Sequence, residues 1–246
     1  MSTNIIPRPQ KLRKMAKKKP QAAQAVQATQ TTNTSMSNSR TGEDQTDQSK
    51  LADRRFVTDK EYPPRFSLKD IEVEIGTWMC FAGREDTLLL SIHGACITAN
   101  NVPCSSFGLY YGLHNLHNVS HAISGKTHTN QTAILTACLR ALRNATFIMD
   151  ERLKMASSRK DLAPLRTFII KTDSEYLVRG ITEWLPKWKE AGWKTCKGVT
   201  IANADLFQLV EAGIVVLERV VEVKFWLVPK ENNQEAESLA KWAIVH

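Results

Sequence analysis

Residues Thr172–Gly198 read TDSEYLVRGITEWLPKWKEAGWKTCKG, and the order of residue types in this stretch decides the fold. The apolar run Leu165–Ile170 just before it reads as a buried strand that ends at Thr172, Asp173 and Ser174. A Thr or Ser hydroxyl at that point is placed to cap the next helix. The segment ITEWLPKWKEAGW then predicts two short, tryptophan-rich helices, interrupted by Pro186 and ended near Gly192. A basic loop, Lys194–Gly198, leads to a helix from about Asn203 to about Leu217. Val220–Val228 reads as the last strand and Asn232–Val245 as the last helix.

Working toward the N-terminus, Thr129 opens the segment TNQTAILTACLRALRNATFI. Its Ile134, Leu135, Cys138, Leu139 and Leu142 recur at helical spacing behind a threonine cap. Before it, Thr87–Ile92 (TLLLSI) is almost continuously apolar, which suits a central strand buried on both faces. Runs at Phe107–Tyr111 and Val119–Ile123, joined by LHNLHN, complete a three-strand antiparallel start. Residues from Asp53 to about Ala82 read as a lead-in, with a turn at Pro63 and Pro64 and core anchors at Trp78 and Phe81. The order βββαβααααβα, with its long connections, predicts an α/β fold whose mixed sheet is sandwiched by helices.

The chain has 246 residues, with 42% hydrophobic and 24% charged residues, ordinary values that exclude fibrous and wholly disordered classes. No apolar run approaches the roughly 18 residues needed to cross a bilayer, so no membrane partner is expected. Cys80, Cys96, Cys104, Cys138 and Cys196 are odd in number and contain no CxxC pair. That pattern argues against a disulfide framework and a zinc ribbon, and fits a reducing intracellular compartment.

The formal charge of +8 is uneven: residues 1–50 hold 9 basic against 3 acidic residues, and the rest 24 against 22. Residues 1–52, rich in Gln, Ala, Ser, Thr and Asn, lack the apolar surface to offset their ordering entropy and are expected to form a disordered basic arm. Lys11, Arg13, Lys14, Lys17, Lys18 and Lys19 suit a nuclear address, a phosphate-binding tail or a solubilising tail. A mitochondrial presequence is a further reading, because no acid precedes Glu43. Residues 53–246 form the folded domain and its lead-in.

Over about residues 63–243 the chain resembles the type 1 ribonuclease H family, particularly its fungal-looking branch. The resemblance rests on Thr172–Gly198 with Asn203 and Asp205, on HGAC at His93–Cys96, on TNQ at Thr129–Gln131, and on VPKENNQEAESLA at Val228–Ala240. It implies a ribonuclease H-like fold: a five-stranded mixed sheet, antiparallel in its first three strands, with helices on both faces. The implied partner is an RNA/DNA hybrid, and a monomer is expected.

The family's chemistry uses four carboxylates to hold two Mg²⁺ ions that activate water and stabilise the leaving oxygen. By this resemblance His93 stands where the family has its first aspartate, and Ile134 where it has its glutamate. Asp173 matches the third position and Glu237 the fourth, so these two are the expected catalytic and metal-binding residues, for Mg²⁺ or Mn²⁺. Each lost attraction is worth up to about 4 kcal/mol at 4 Å and an effective dielectric near 20, so two losses should empty a Mg²⁺ site. His93, Asp173 and Glu237 leave open a single Mn²⁺ or Zn²⁺ ion. The family's catalytic-loop histidine is also missing, since this region reads LVPKENNQ, as in short-loop relatives.

The resemblance places Thr129, Asn130 and Gln131 on the hybrid backbone, Thr129 and Asn203 in a phosphate pocket with Lys126 or His128, and Tyr176, Trp184 and Trp188 along the DNA sugars. Aromatics beside basic residues suit such a groove. Trp184, Trp188 and Trp193 also suit helix packing, and Lys187, Lys189, Lys194 and Lys197 also suit a solvated face. His114, His117 and His121 fall in the hairpin, where the spacing does not converge on a metal, and Cys96 and Cys104 read as free thiols. Three functions follow: a hybrid-binding protein with impaired catalysis, an active hybrid endoribonuclease, or a protein-interaction module on a retired nuclease fold. The nearly neutral body slightly favours the last, because nucleic-acid-binding domains are usually more basic.

Overall fold

Strand β3 (Arg84–Ala99) is the axis of the sheet, because both its edges are paired and both its faces are covered. Leu88, Leu89, Leu90 and Ile92 are each at most 1% exposed. Strand alternation divides them between two cores: Leu88, Leu90 and Ile92 join the larger, whereas Leu89 joins a smaller one with Phe56, Ile71, Phe81, Ile169, Trp226 and Val228. A computed structural model describes residues 54–58, 68–76, 78–99, 101–125, 127–158 and 164–245. The basic arm expected over residues 1–52 lies outside the described residues, as does Lys126.

On one edge β3 pairs antiparallel with β4 (Val102–Tyr110), which pairs antiparallel with β5 (Val119–Ile123). On the other edge β3 pairs parallel with β6 (Thr167–Thr172), and β6 pairs parallel with β7 (Glu222–Leu227). These five strands are the mixed sheet expected from the sequence, antiparallel in its first three. The lead-in adds to them. Helix α1 (Leu68–Ile71), β1 (Glu72–Ile75) and β2 (Trp78–Phe81) form a helical turn and hairpin, and among the described residues the sheet has seven strands rather than five. Strand β2 pairs with the part of β3 that β4 has already left, at Met79↔Leu89, and the Met79 N–H donates to the Tyr111 carbonyl at 2.8 Å. Upstream, Arg54 and Phe56 bond to both backbone groups of Phe225 on β7, and Arg54 grips Glu218 through two bonds of 2.7 Å.

Helix α2 (Asn130–Ser158) covers one face and runs well beyond the expected segment. Its buried stripe is rich in small residues, Ala133, Ala137, Ala141 and Ala145, which lets it approach the sheet closely. Helix α3 (Glu175–Arg179) is capped by Ser174, whose hydroxyl accepts from the Leu177 N–H. Pro186 does not break the chain that follows: a wide π turn, Gly180–Trp184, passes directly into α4 (Leu185–Glu190), whose first turn contains the proline. Helix α5 (Ala204–Leu217) packs against α2. After β7, a 3₁₀ turn (Lys230–Asn232) leads to α6 (Gln234–Val245) on the opposite face, against Gly108 of β4. Helices therefore lie on both faces. Among the described residues no helix is long and apolar enough to cross a membrane.

Candidate functional site

The parallel register of β3 and β6 runs from Thr87↔Thr167 to Ser91↔Lys171, and two positions further on it brings His93 beside Asp173. His93 Nδ1 lies 2.9 Å from Asp173 Oδ1, with the side chains only 15% and 12% exposed. Asn233, fully buried just ahead of α6, donates through Nδ2 to the same oxygen at 2.7 Å and to the Ile92 carbonyl at 3.0 Å. Burial pushes the Asp173 carboxyl up, but the hydrogen bond and charge of His93, the Asn233 amide and its own backbone outweigh that and leave it below the usual carboxylate range.

Glu237, on the first turn of α6, accepts from Lys241 Nζ at 2.7 Å and from Lys230 Nζ at 3.1 Å. The Lys241 bond, opposed by burial and helped by Lys230, holds its carboxyl low. Ile134, on the first turn and a half of α2, is 3% exposed and presents a methyl-bearing wall. A cavity of about 380 Å³ joins His93, Ile134, Asp173 and Glu237 with Asn130, Gln131, Tyr176, Lys230 and Lys241. The four positions singled out from the sequence thus share one cleft, together with three of the seven expected nucleic-acid contacts.

The other four expected contacts lie outside that cavity. Thr129 caps α2, its hydroxyl accepting from the Thr132 N–H at 3.0 Å. Asn203, at φ 58°, makes no cap bond and instead donates to the Tyr176 hydroxyl at 3.1 Å. From Tyr176 a row of rings leads away: Trp184 at 6.0 Å, then Trp188 at 5.6 Å, then Trp193 at 6.2 Å. Trp188 also packs edge-on against Phe207 at 4.9 Å and, with Trp193, lies on the main core. Trp184 carries the Arg179 guanidinium over its ring at 5.2 Å. His128 bonds to Ser105 Oγ at 2.7 Å, and Lys189 to Glu211 at 2.9 Å.

Sequence reading does not single out Asn233, Lys230 or Lys241. Their only local signal is position: NNQ immediately precedes α6, and Lys241 stands four residues after Glu237, the spacing at which helical side chains meet. In the hairpin, His117 stacks on Trp78 at 5.2 Å, a packing role. Among the described residues no group of three or more His, Cys, Asp or Glu side chains is arranged to hold a metal ion, and all five cysteines are free.

The fold is an α/β domain with a mixed sheet and helices on both faces, and its cleft lies along the C-terminal half of β3 and just beyond the end of β6. The family model described as RNase H matches residues 88–244, more than half of the chain, and the chain belongs to the ribonuclease H family. The ribonuclease H of Pseudomonas paraeruginosa is 43% identical over 68 residues, 26% of this chain and 46% of that protein. That of Prochlorococcus marinus is 43% identical over 93 residues, 38% of this chain and 53% of that protein. The chain spans about half the length of these curated relatives. Among solved structures, LC11-RNase H1 isolated from compost aligns at 20% identity and TM-score 0.42, covering 64% of this chain and 94% of its own. The foamy viral protease-reverse transcriptase in complex with RNA/DNA hybrid aligns at 19% identity and TM-score 0.47, covering 77% of this chain and 22% of its own.

Proposed function

We propose that this chain is a ribonuclease H relative that binds RNA/DNA hybrid and has lost metal-dependent cleavage. The observation that carries this reading is the bond between His93 and Asp173: an imidazole, not a carboxylate, faces the aspartate across the cleft at 2.9 Å. Mg²⁺ demands octahedral oxygen ligation, and the donor set here does not fit it. Asp173 and Glu237 are the two carboxylates left to it. Asp173 is already engaged by His93 and Asn233, Glu237 by two lysines, and Ile134 offers no donor. The groove that would hold the duplex is supported by the surviving residues Thr129, Asn130, Gln131, Tyr176, Trp184, Trp188 and Asn203.

The test incubates labelled RNA/DNA hybrid with the protein in Mg²⁺ and in Mn²⁺, beside Asp173→Asn and the double substitution His93→Asp, Ile134→Glu. The expected result is salt-sensitive binding, no cleavage by the native chain, and cleavage on restoration. Native cleavage that disappears in Asp173→Asn would instead establish an active endoribonuclease working with a depleted ligand set. Absence of hybrid binding at low salt would point to an interaction module.

A further inference from the structure

The cleft holds N–H donors that are not committed within the protein, beside the second oxygens of the Asp173 and Glu237 carboxylates. Asp173 Oδ1 already accepts from His93 and Asn233, and Glu237 Oε1 from Lys230 and Lys241. Asn130 has its carbonyl oxygen committed to the Cys96 N–H at 2.7 Å, so its amide N–H groups are the part left over. Each lysine ammonium has three donors, uses one on Glu237, and belongs to a side chain 65% exposed at the cleft mouth. The two ammonium groups cancel the two carboxylates, so an approaching anion meets no net repulsion.

We infer that this cleft receives a backbone phosphodiester of the hybrid directly on Lys230, Lys241 and Asn130, with no divalent cation. The inference rests on the hybrid-binding reading and adds that lysine and asparagine N–H groups, rather than a metal ion, bond the phosphate oxygens. Charge-assisted bonds from ammonium to phosphate oxygen are the strong class of hydrogen bond.

The full chain is titrated with fluorescent RNA/DNA hybrid in EDTA and in Mg²⁺ at matched ionic strength. The expected Kd is the same in both within about twofold, and Lys230→Ala, Lys241→Ala together weaken it about tenfold or more in EDTA, the size of one lost charge-assisted contact. Lys230→Arg, Lys241→Arg retains affinity, which separates charge from fold, and both sites are exposed enough for either pair to fold. Binding that needs Mg²⁺, or an alanine pair that binds like the parent in EDTA, overturns the inference while leaving the hybrid-binding reading intact. No binding in either condition overturns that reading itself.

Discussion

Gly94 of β3 lies against the backbone of Ile134 in α2, so close that a methyl group at Gly94 would overlap the Ile134 N and Cα and the Ala133 carbonyl carbon. Strand and helix meet here without an intervening side chain, and the contact sets the distance between His93 on the strand and the first turns of α2. Backbone cannot yield as a flexible side chain can. Gly94→Ala should therefore cost about 1–3 kcal/mol, the usual range for overpacking, seen as a lower urea midpoint. A change below about 0.5 kcal/mol would show that the helix can shift freely.

The buried pair Lys171–Glu72 ties the hairpin β1–β2 to the centre of the sheet. Lys171 Nζ lies 2.8 and 2.7 Å from the two carboxylate oxygens, with the lysine side chain 5% exposed and 5.7 Å from the Trp226 ring centre. Lys171→Met leaves Glu72 as an uncompensated buried charge and should cost about 3–5 kcal/mol, while Lys171→Met with Glu72→Met should lie close to the parent. A double variant as unstable as the single one would contradict this account.

The same glutamate gives a pH dependence. Burial pushes the Glu72 carboxyl above its ordinary value, and Lys171 offsets this only in part. A raised folded-state pKa favours the folded protein at low pH, where the group is protonated in both states, and that contribution fades as pH rises through the folded value. Glu72→Gln should thus flatten the fall in stability on going from mildly acidic to neutral pH. Parallel urea melts of parent and variant across that range check it; identical slopes would exclude Glu72 as the source.

Asn233 is fully buried and joins the Ile92 carbonyl to Asp173. Asn233→Ala removes both donations at once and should destabilise by about 1–3 kcal/mol, the cost of leaving buried acceptors unmade. Thermal melts would show it. A melting temperature equal to the parent's would mean that the Ile92 carbonyl finds another donor.

The row of rings beyond Tyr176 divides by role. Trp188, packed on Phe207 and the core, should lose stability on Trp188→Ala, by about 2 kcal/mol, below the range of a fully buried tryptophan because it is only partly buried. Trp184→Ala should instead weaken hybrid binding by about 1–3 kcal/mol, the worth of one aromatic stacking platform, with little change in melting. Fluorescence titration and calorimetry on the two variants decide it. Reversed outcomes would exchange the two roles.

Much of this molecule is legible in its sequence alone. The apolar run Thr87–Ile92, the strand Val119–Ile123 and the threonine-capped start of α2 all lie where their periodicity puts them, since a repeat of two or 3.6 residues records which face is buried. The residue types at His93, Ile134, Asp173 and Glu237 are equally plain, and the resemblance of the stretches around them singles out these four positions. What the tertiary structure alone decided are relations between distant segments. EVEI and WMCF are too short to carry a period and become strands only because β3 offers them an open edge. Lys171 finds Glu72 across 99 positions, and Asn233 finds Asp173 across 60. Lys230 reaches Glu237 only because the 3₁₀ turn folds back on α6. Local spacing encodes burial of a face, but the partner of a buried charge is chosen by the packing that brings two segments together, and no periodicity within either segment records it.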